Sequence, residues 1–115
     1  MRLKLIALAT ACLVVPHAAR AELTIQQYQA NMQDPAAGPV TQILIEGIVL
    51  GISAMVAEDS VEGNKPFICQ PDHLALTGEQ DIQILNQWIH EHNPPANDMV
   101  EVDLLMALEE TFPCK

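Results

Sequence analysis

Beyond residue 21, apolar positions recur three and four apart, and no stretch alternates with the period of two that a half-buried strand requires. Four helices are predicted. The first covers residues 25–32 and stops before "DPAAGP". The second, over residues 40–57, reads "VTQILIEGIVLGISAMVA" and is apolar almost all round, with Glu46 as the interruption. Such a pattern predicts a helix buried on several sides. Gly47 and Gly51, four apart, would let another helix approach closely. A membrane dimer motif has the same spacing, but the segment is short and carries a charge, so a core helix is preferred.

"EDSVEGNKPFICQPD" reads as a loop, punctuated by Gly63-Asn64 and two prolines. Thr77, three residues before Gln80, opens the third helix as a capping box, in which hydroxyl and amide side chains satisfy each other's orphan backbone N–H. Ile82, Leu85 and Ile89 continue it at helical spacing beside Ile84 and Trp88, until Pro94 and Pro95 stop it after "HEHN". The fourth helix is predicted over residues 98–111. Val100, Leu104, Leu108 and Phe112 form its core stripe, and Pro113 ends it. Asp98 and Glu101 lie at its start, where the helix dipole favours negative charge. Met99, Val102 and Met106 recur on a second face, read equally as a partner or dimer surface or as the mark of a helix central to the bundle.

The first twenty-one residues have a different pattern. Arg2 and Lys4 precede an apolar run from Leu5 to Val15, Pro16 breaks it, and Ala19-Arg20-Ala21 follows. This is the layout of a cleavable secretory signal, too short for a spanning helix of about 20 apolar residues. Residues 22–115 would then form one exported domain. Cys12 admits a second reading as a lipoprotein cysteine, against which the apolar run continues through Leu13, Val14 and Val15.

Export changes the charge. Of the five Lys and Arg only Lys65 and Lys115 lie beyond residue 21, against all fifteen Asp and Glu, so the formal charge moves from −10 to −13. Phosphate contacts need Lys and Arg, so nucleic-acid binding is excluded, and anionic membrane surfaces would repel the domain. Export also leaves Cys69 and Cys114, an even pair in an oxidising compartment, which reads as a disulfide. Closing so long a loop is worth about 4 kcal/mol in the chain-entropy picture. Zinc is the rival, but two cysteines lack its third and fourth ligands. The bond would clamp the hairpin of helices three and four. The predicted class is all-α: a small four-helix domain with one disulfide clamping its C-terminal hairpin.

No catalytic or cofactor-binding constellation emerges. His90 and His92, two apart on a helix, point to different sides, so with His73 and Glu91 they make a poor metal site. Ser53 and Ser60 have no evident base, and a Cys-His nucleophile would need a thiol that the disulfide consumes. Paired carboxylates such as Glu58 with Asp59 are ordinary in so acidic a chain. A binder is expected rather than an enzyme.

"PFICQPD", a helix-opening Gln, "WIHEHNP" and "LLMALEETFPC" together resemble the Rap/Tai family of type VI secretion immunity proteins. The matching residues are Cys69, Pro71, Gln80, Trp88, Asn93, Pro94, Leu104, Ala107, Leu108, Phe112, Pro113 and Cys114. The resemblance implies a periplasmic four-helix domain with one disulfide, often homodimeric. Its implied role is to bind and inhibit a secreted peptidoglycan amidase effector, a cysteine hydrolase, and so protect the producing cell. The matched positions are framework rather than contact residues. Val102 departs from the family pattern, which often has a small residue near there.

An inhibitor needs no chemistry of its own, only a preorganised plug. The first candidate is "HEHNPPAND", with His90, His92, Asn93, Pro94, Pro95, Asn97 and Asp98. The second is "EDSVEGNK", with Glu58, Asp59 and Glu62. The alternative is a periplasmic acid-stress chaperone, in which carboxylate protonation loosens the fold and exposes Met99, Val102 and Met106.

Overall fold

The computed structural model describes residues 22–71 and 74–115. The signal-like segment with Cys12, and also His73, lie outside them. Two threonines open two helices in the same way. Thr24 Oγ1 accepts from the Gln27 amide while Gln27 Oε1 accepts from the Thr24 amide, starting α1 (Ile25–Gln33). Thr77 and Gln80 repeat the exchange at the start of α3 (Gly78–His92). The box at Thr77 is as predicted. The one at Thr24 carries the same Thr-x-x-Gln signature.

Between them runs α2 (Ala37–Glu62), longer than predicted at both ends. Pro39 lies in its first turn, where a missing N–H costs nothing. Asp34 substitutes for a cap: its Oδ1 accepts from the Ala36 and Ala37 amides, and its backbone oxygen from Gly38. The other end continues through Glu58, Asp59 and Glu62, residues predicted to lie in a loop. Gly63 closes it in the left-handed conformation (φ 78°), with Gly63 and Asn64 amides returning to the Asp59 and Ser60 carbonyls. Glycine adopts that φ without a Cβ penalty, so the helix stops at Gly63, not at its acidic last turn.

The fourth helix, α4 (Val100–Thr111), completes an all-α fold, with no strand among the described residues. α1 packs on α2, α2 on α3 and α3 on α4, while α2 touches α4 only lightly. Tyr28, Ile45, Leu85, Val100 and Leu104 are fully buried at the centre, with Leu108 and Ile82 beside them, so both predicted stripes of the C-terminal hairpin face inward. Tyr28 belongs to the core although it carries a polar group. Its hydroxyl donates to Asn86 Oδ1 at 2.9 Å, tying α1 to α3. Burial pushes its pKa up to about 12.

Cys69 and Cys114 are bonded, with Cα atoms 4.9 Å apart. The Cys69 amide also donates to the Phe112 carbonyl at 2.9 Å, and Ile68 enters the core. The segment ahead of α3 is thus held to the end of α4 covalently and by backbone.

The expectation for α2 does not hold. One face is inward, through Thr41, Ile45 and Val49, with Ile48, Ile52 and Val56 packed beside them. The opposite face is open: Val40 and Ile43 are each 67% exposed, Leu50 71% and Val61 89%. Gly47 and Gly51 meet nothing within 4 Å of where a Cβ would be. The close approach occurs instead at Gly78, where an added Cβ would fall on the Glu46 carboxyl. The other three helices are too few and too short to surround the longest one, so its apolarity exceeds what the core can cover.

Candidate functional site

The turn between α3 and α4 is built by three constraints. Asn93 ends α3 in the left-handed region (φ 46°, ψ 56°), its amide still bonded to the Ile89 carbonyl at 2.9 Å. Asparagine tolerates this conformation better than most residues. Pro94 and Pro95 then fix two φ angles, and the Asp98 amide closes a turn on the Pro95 carbonyl at 3.0 Å. Third, the turn is sewn to the start of α1. The Ile25 amide donates to Asp98 O, Gln26 to Ala96 O and Val100 to Leu23 O, all at 2.9–3.0 Å, around an isolated antiparallel bridge between Thr24 and Met99.

Consequently Asn93, Pro95, Ala96 and Asn97 are exposed while their backbone is immobilised from both sides; Pro94 and Asp98 are half-buried. The Thr24 box, which sets the first turn of α1, therefore also sets the anchor of this turn. That link was invisible in the sequence: the partners are some seventy positions apart. Its only local trace was the Thr24/Gln27 spacing.

The same structure joins the turn to the second apolar face of α4. Asn97, Asp98, Met99, Val102, Asp103 and Met106 line one open groove of about 330 Å³. Met99, Val102 and Met106 are 39%, 38% and 45% exposed, so the reading of α4 as wholly central is set aside. Two candidate regions, the proline turn and the methionine face, form one continuous surface. Glu58, Asp59 and Glu62 do not join it. They occupy the last turn of α2, where Asn64 Nδ2 donates to Glu62 Oε2 at 3.2 Å.

The two histidines of "HEH" part company. His90 is exposed. His92 stacks on Trp88 with ring centroids 3.5 Å apart, its Nδ1 3.1 Å from the Trp88 carbonyl and its Nε2 3.3 Å from Glu110 Oε2. It links the last turn of α3 to the last turn of α4. Held by Trp88 and Glu110, His92 still leaves 39% of its side chain exposed beside the turn. Among the described residues no three His, Cys, Asp or Glu come together as metal ligands.

Asp103 lines the groove yet is only 4% exposed. Burial raises its pKa and the Asp98 carboxylate adds to the rise; the Trp88 indole and His92 oppose it. Neither the indole Nε1 nor Asp103 Oδ2 completes a well-formed hydrogen bond, although each is buried. Asp81, in the first turn of α3, has the same character: 3% exposed, with Oδ1 unpartnered, its pKa raised by burial and then by Glu46 on α2. Neither carboxyl was singled out as buried from sequence, because Asp is a surface residue by default.

No family model, curated protein or solved structure matches the chain. The family resemblance therefore rests on the residues that carry it.

Proposed function

We propose that this chain is a periplasmic immunity protein that binds a secreted peptidoglycan amidase and blocks its active-site groove. The observation that carries the reading is the preorganised turn of residues 93–98, immobilised by its prolines and by α1, and continuous with the exposed Met99/Val102/Met106 face. A rigid plug loses little entropy on docking. An adaptable methionine surface beside it supplies apolar area without demanding one partner shape. Asn93, Pro95 and Asn97 enter the groove of the hydrolase, and the α4 face packs against its rim. The disulfide-clamped hairpin keeps the two in register. No catalytic residue of this chain takes part.

The test is a neutral-pH pull-down with tagged, oxidised protein from an extract of the source cells, repeated in acid. The expected result is one stoichiometric partner whose peptidoglycan amidase activity is silent in the complex. A Gly/Ser replacement of residues 93–97, with helicity and melting checked, removes the partner, and Met106→Asp weakens it. Undiminished affinity after the loop replacement rules out this turn as the plug. Many acid-dependent clients and no neutral partner would favour the chaperone alternative. Burial raises the pKa of Asp81 and Asp103, so uptake of a proton at these two positions does not oppose folding.

A further inference from the structure

Between α2 and the segment leading into α3 lies a cleft of about 330 Å³. Glu46, Val49 and Ser53, at helical spacing on one side of α2, form its floor. Gln70 and Leu76 form the facing wall, and the first turn of α3 closes one end with Gly78 and Asp81. Beside it along α2 lies a smaller chamber of about 180 Å³, bounded by Ile52, Val56, Ile68 and Leu108. Val49, Ser53 and Gln70 belong to the walls of both. The facing wall is held in place. Gln70 Nε2 donates to the Leu74 carbonyl, and the neighbouring Cys69 is fixed to α4 by its disulfide and by its amide bond to Phe112.

The closed end is acidic. A Cβ at Gly78 would fall on the Glu46 carboxyl, so the missing side chain lets that carboxyl lie against the start of α3. Asp81, three residues on, brings a second carboxyl to the same end. Among the described residues no lysine or arginine is paired with either. Glu46 has a neutral donor in Gln42 Nε2 at 3.3 Å. Asp81 is only 3% exposed, and its Oδ1 has no partner. A buried acceptor left in this way is costly unless a donor reaches it. We propose that the cleft binds an aliphatic monoamine, its ammonium between Glu46 and Asp81 and its hydrocarbon chain running along α2 past Val49 and Ser53.

The residues select this class. An ammonium brings three N–H donors together with the charge that two carboxyls attract. An anion is repelled there, and calcium asks for six or more oxygens where two carboxyls stand. From Glu46 to Ser53 the helix rises about 10 Å, enough for a six-carbon chain and its nitrogen. Beyond Ser53 the smaller chamber has no ionisable group in its walls. A diamine would strand its second charge there, and a lysine residue its polar backbone. No residue of the cleft belongs to the turn of residues 93–98 or to the methionine groove, so the site stands apart from the proposed inhibitory role.

Titration of the oxidised protein with n-hexylamine hydrochloride at neutral pH, followed by calorimetry and amide NMR, should show saturable binding. The amides that shift should centre on Glu46, Ser53, Gln70 and Gly78. n-Hexanol, hexanoate, hexamethylenediamine and α-acetylated lysine amide should each bind about tenfold more weakly or worse. Shortening the monoamine should loosen it by roughly two- to fourfold per methylene. Glu46→Gln and Asp81→Asn, both close in shape, should each weaken hexylamine about tenfold and leave hexanol unchanged. Ser53→Phe, at an exposed position, should fill the passage and remove the advantage of the longer chain. Hexanol binding as tightly as hexylamine, a tighter diamine or lysine amide, unchanged affinity in both carboxyl variants, or no saturable binding would each overturn the proposal.

Discussion

The α3–α4 hairpin and α2 are both rich in apolar residues, yet one is enclosed and the other half bare. In the hairpin, polar residues separate the stripes, so Ile82, Leu85, Leu104 and Leu108 have one direction in which to be buried, and all four are. In α2 the apolar residues run round the helix, and composition cannot say which of them the core will take. The core takes Ile45 and Val49 and leaves Ile43 and Leu50 outside. The lesson is that an all-round apolar helix in a small domain indicates how much surface wants covering, not that this chain covers it.

The contrast can be broken first at the disulfide. Cys114→Ser frees the segment before α3 from the end of α4 and should cost about 4 kcal/mol on the loop-entropy estimate. Chemical denaturation would register this as a large fall in midpoint. If the proposed function holds, loss of partner binding should accompany it, because the hairpin that carries the turn is no longer clamped. A small change would mean that the Cys69–Phe112 backbone bond and Ile68 suffice without the covalent link.

Truncation of one leucine in each region sharpens the contrast directly. Leu104 is fully buried, and Leu104→Ala should cost roughly 2–5 kcal/mol. Leu50→Ala, measured in dilute monomer, should stay within about 0.5 kcal/mol of wild type. If the two cost the same, the outward face of α2 is covered within the single chain and the difference between the regions disappears.

The smallest effect concerns pH. Asp81 and Asp103 have raised pKa values, chiefly through burial. The folded chain therefore holds their protons more tightly than the unfolded chain. The stabilisation is fully present below the ordinary carboxylate pKa and is lost as pH rises through the raised one. Melting temperature should accordingly rise as pH falls from neutral toward the ordinary carboxylate range, helped by relief of the net negative charge. Asp103→Asn should flatten that rise. Asp34 runs the other way, since its pKa is lowered by the Ala37 and Ala36 amides, so its contribution is lost only as pH falls below the ordinary range. A chain that loosens monotonically in acid would contradict the assignment of Asp81 and Asp103.

Much of this architecture is local and was therefore legible. Thr77 and Gln80 carry a complete helix start within four residues. Pro94, Pro95 and Pro113 stop helices by removing donors. The i, i+4 stripe of α4 has a single reading, and the two cysteines beyond residue 21 have one partner each, as the Cys69–Cys114 bond shows. The Met99/Val102/Met106 face was readable as a repeat, though not as exposed. Other features needed partners that sequence distance hides. His92 stacks on Trp88 and reaches Glu110, and Tyr28 finds Asn86 across the bundle.

By itself, then, the sequence determined the helical class, the starts and stops set by Thr, Gly and Pro, the disulfide pair and the strongly acidic character. Each follows from the chemistry of a few neighbouring residues. Only the tertiary structure decided which half of α2 faces solvent, that Asp81 and Asp103 are buried, and that the start of α1 anchors the proline turn beside the methionine face. Those outcomes depend on how much surface four helices can enclose and on backbone partners far apart in the chain, and local propensity is silent about both.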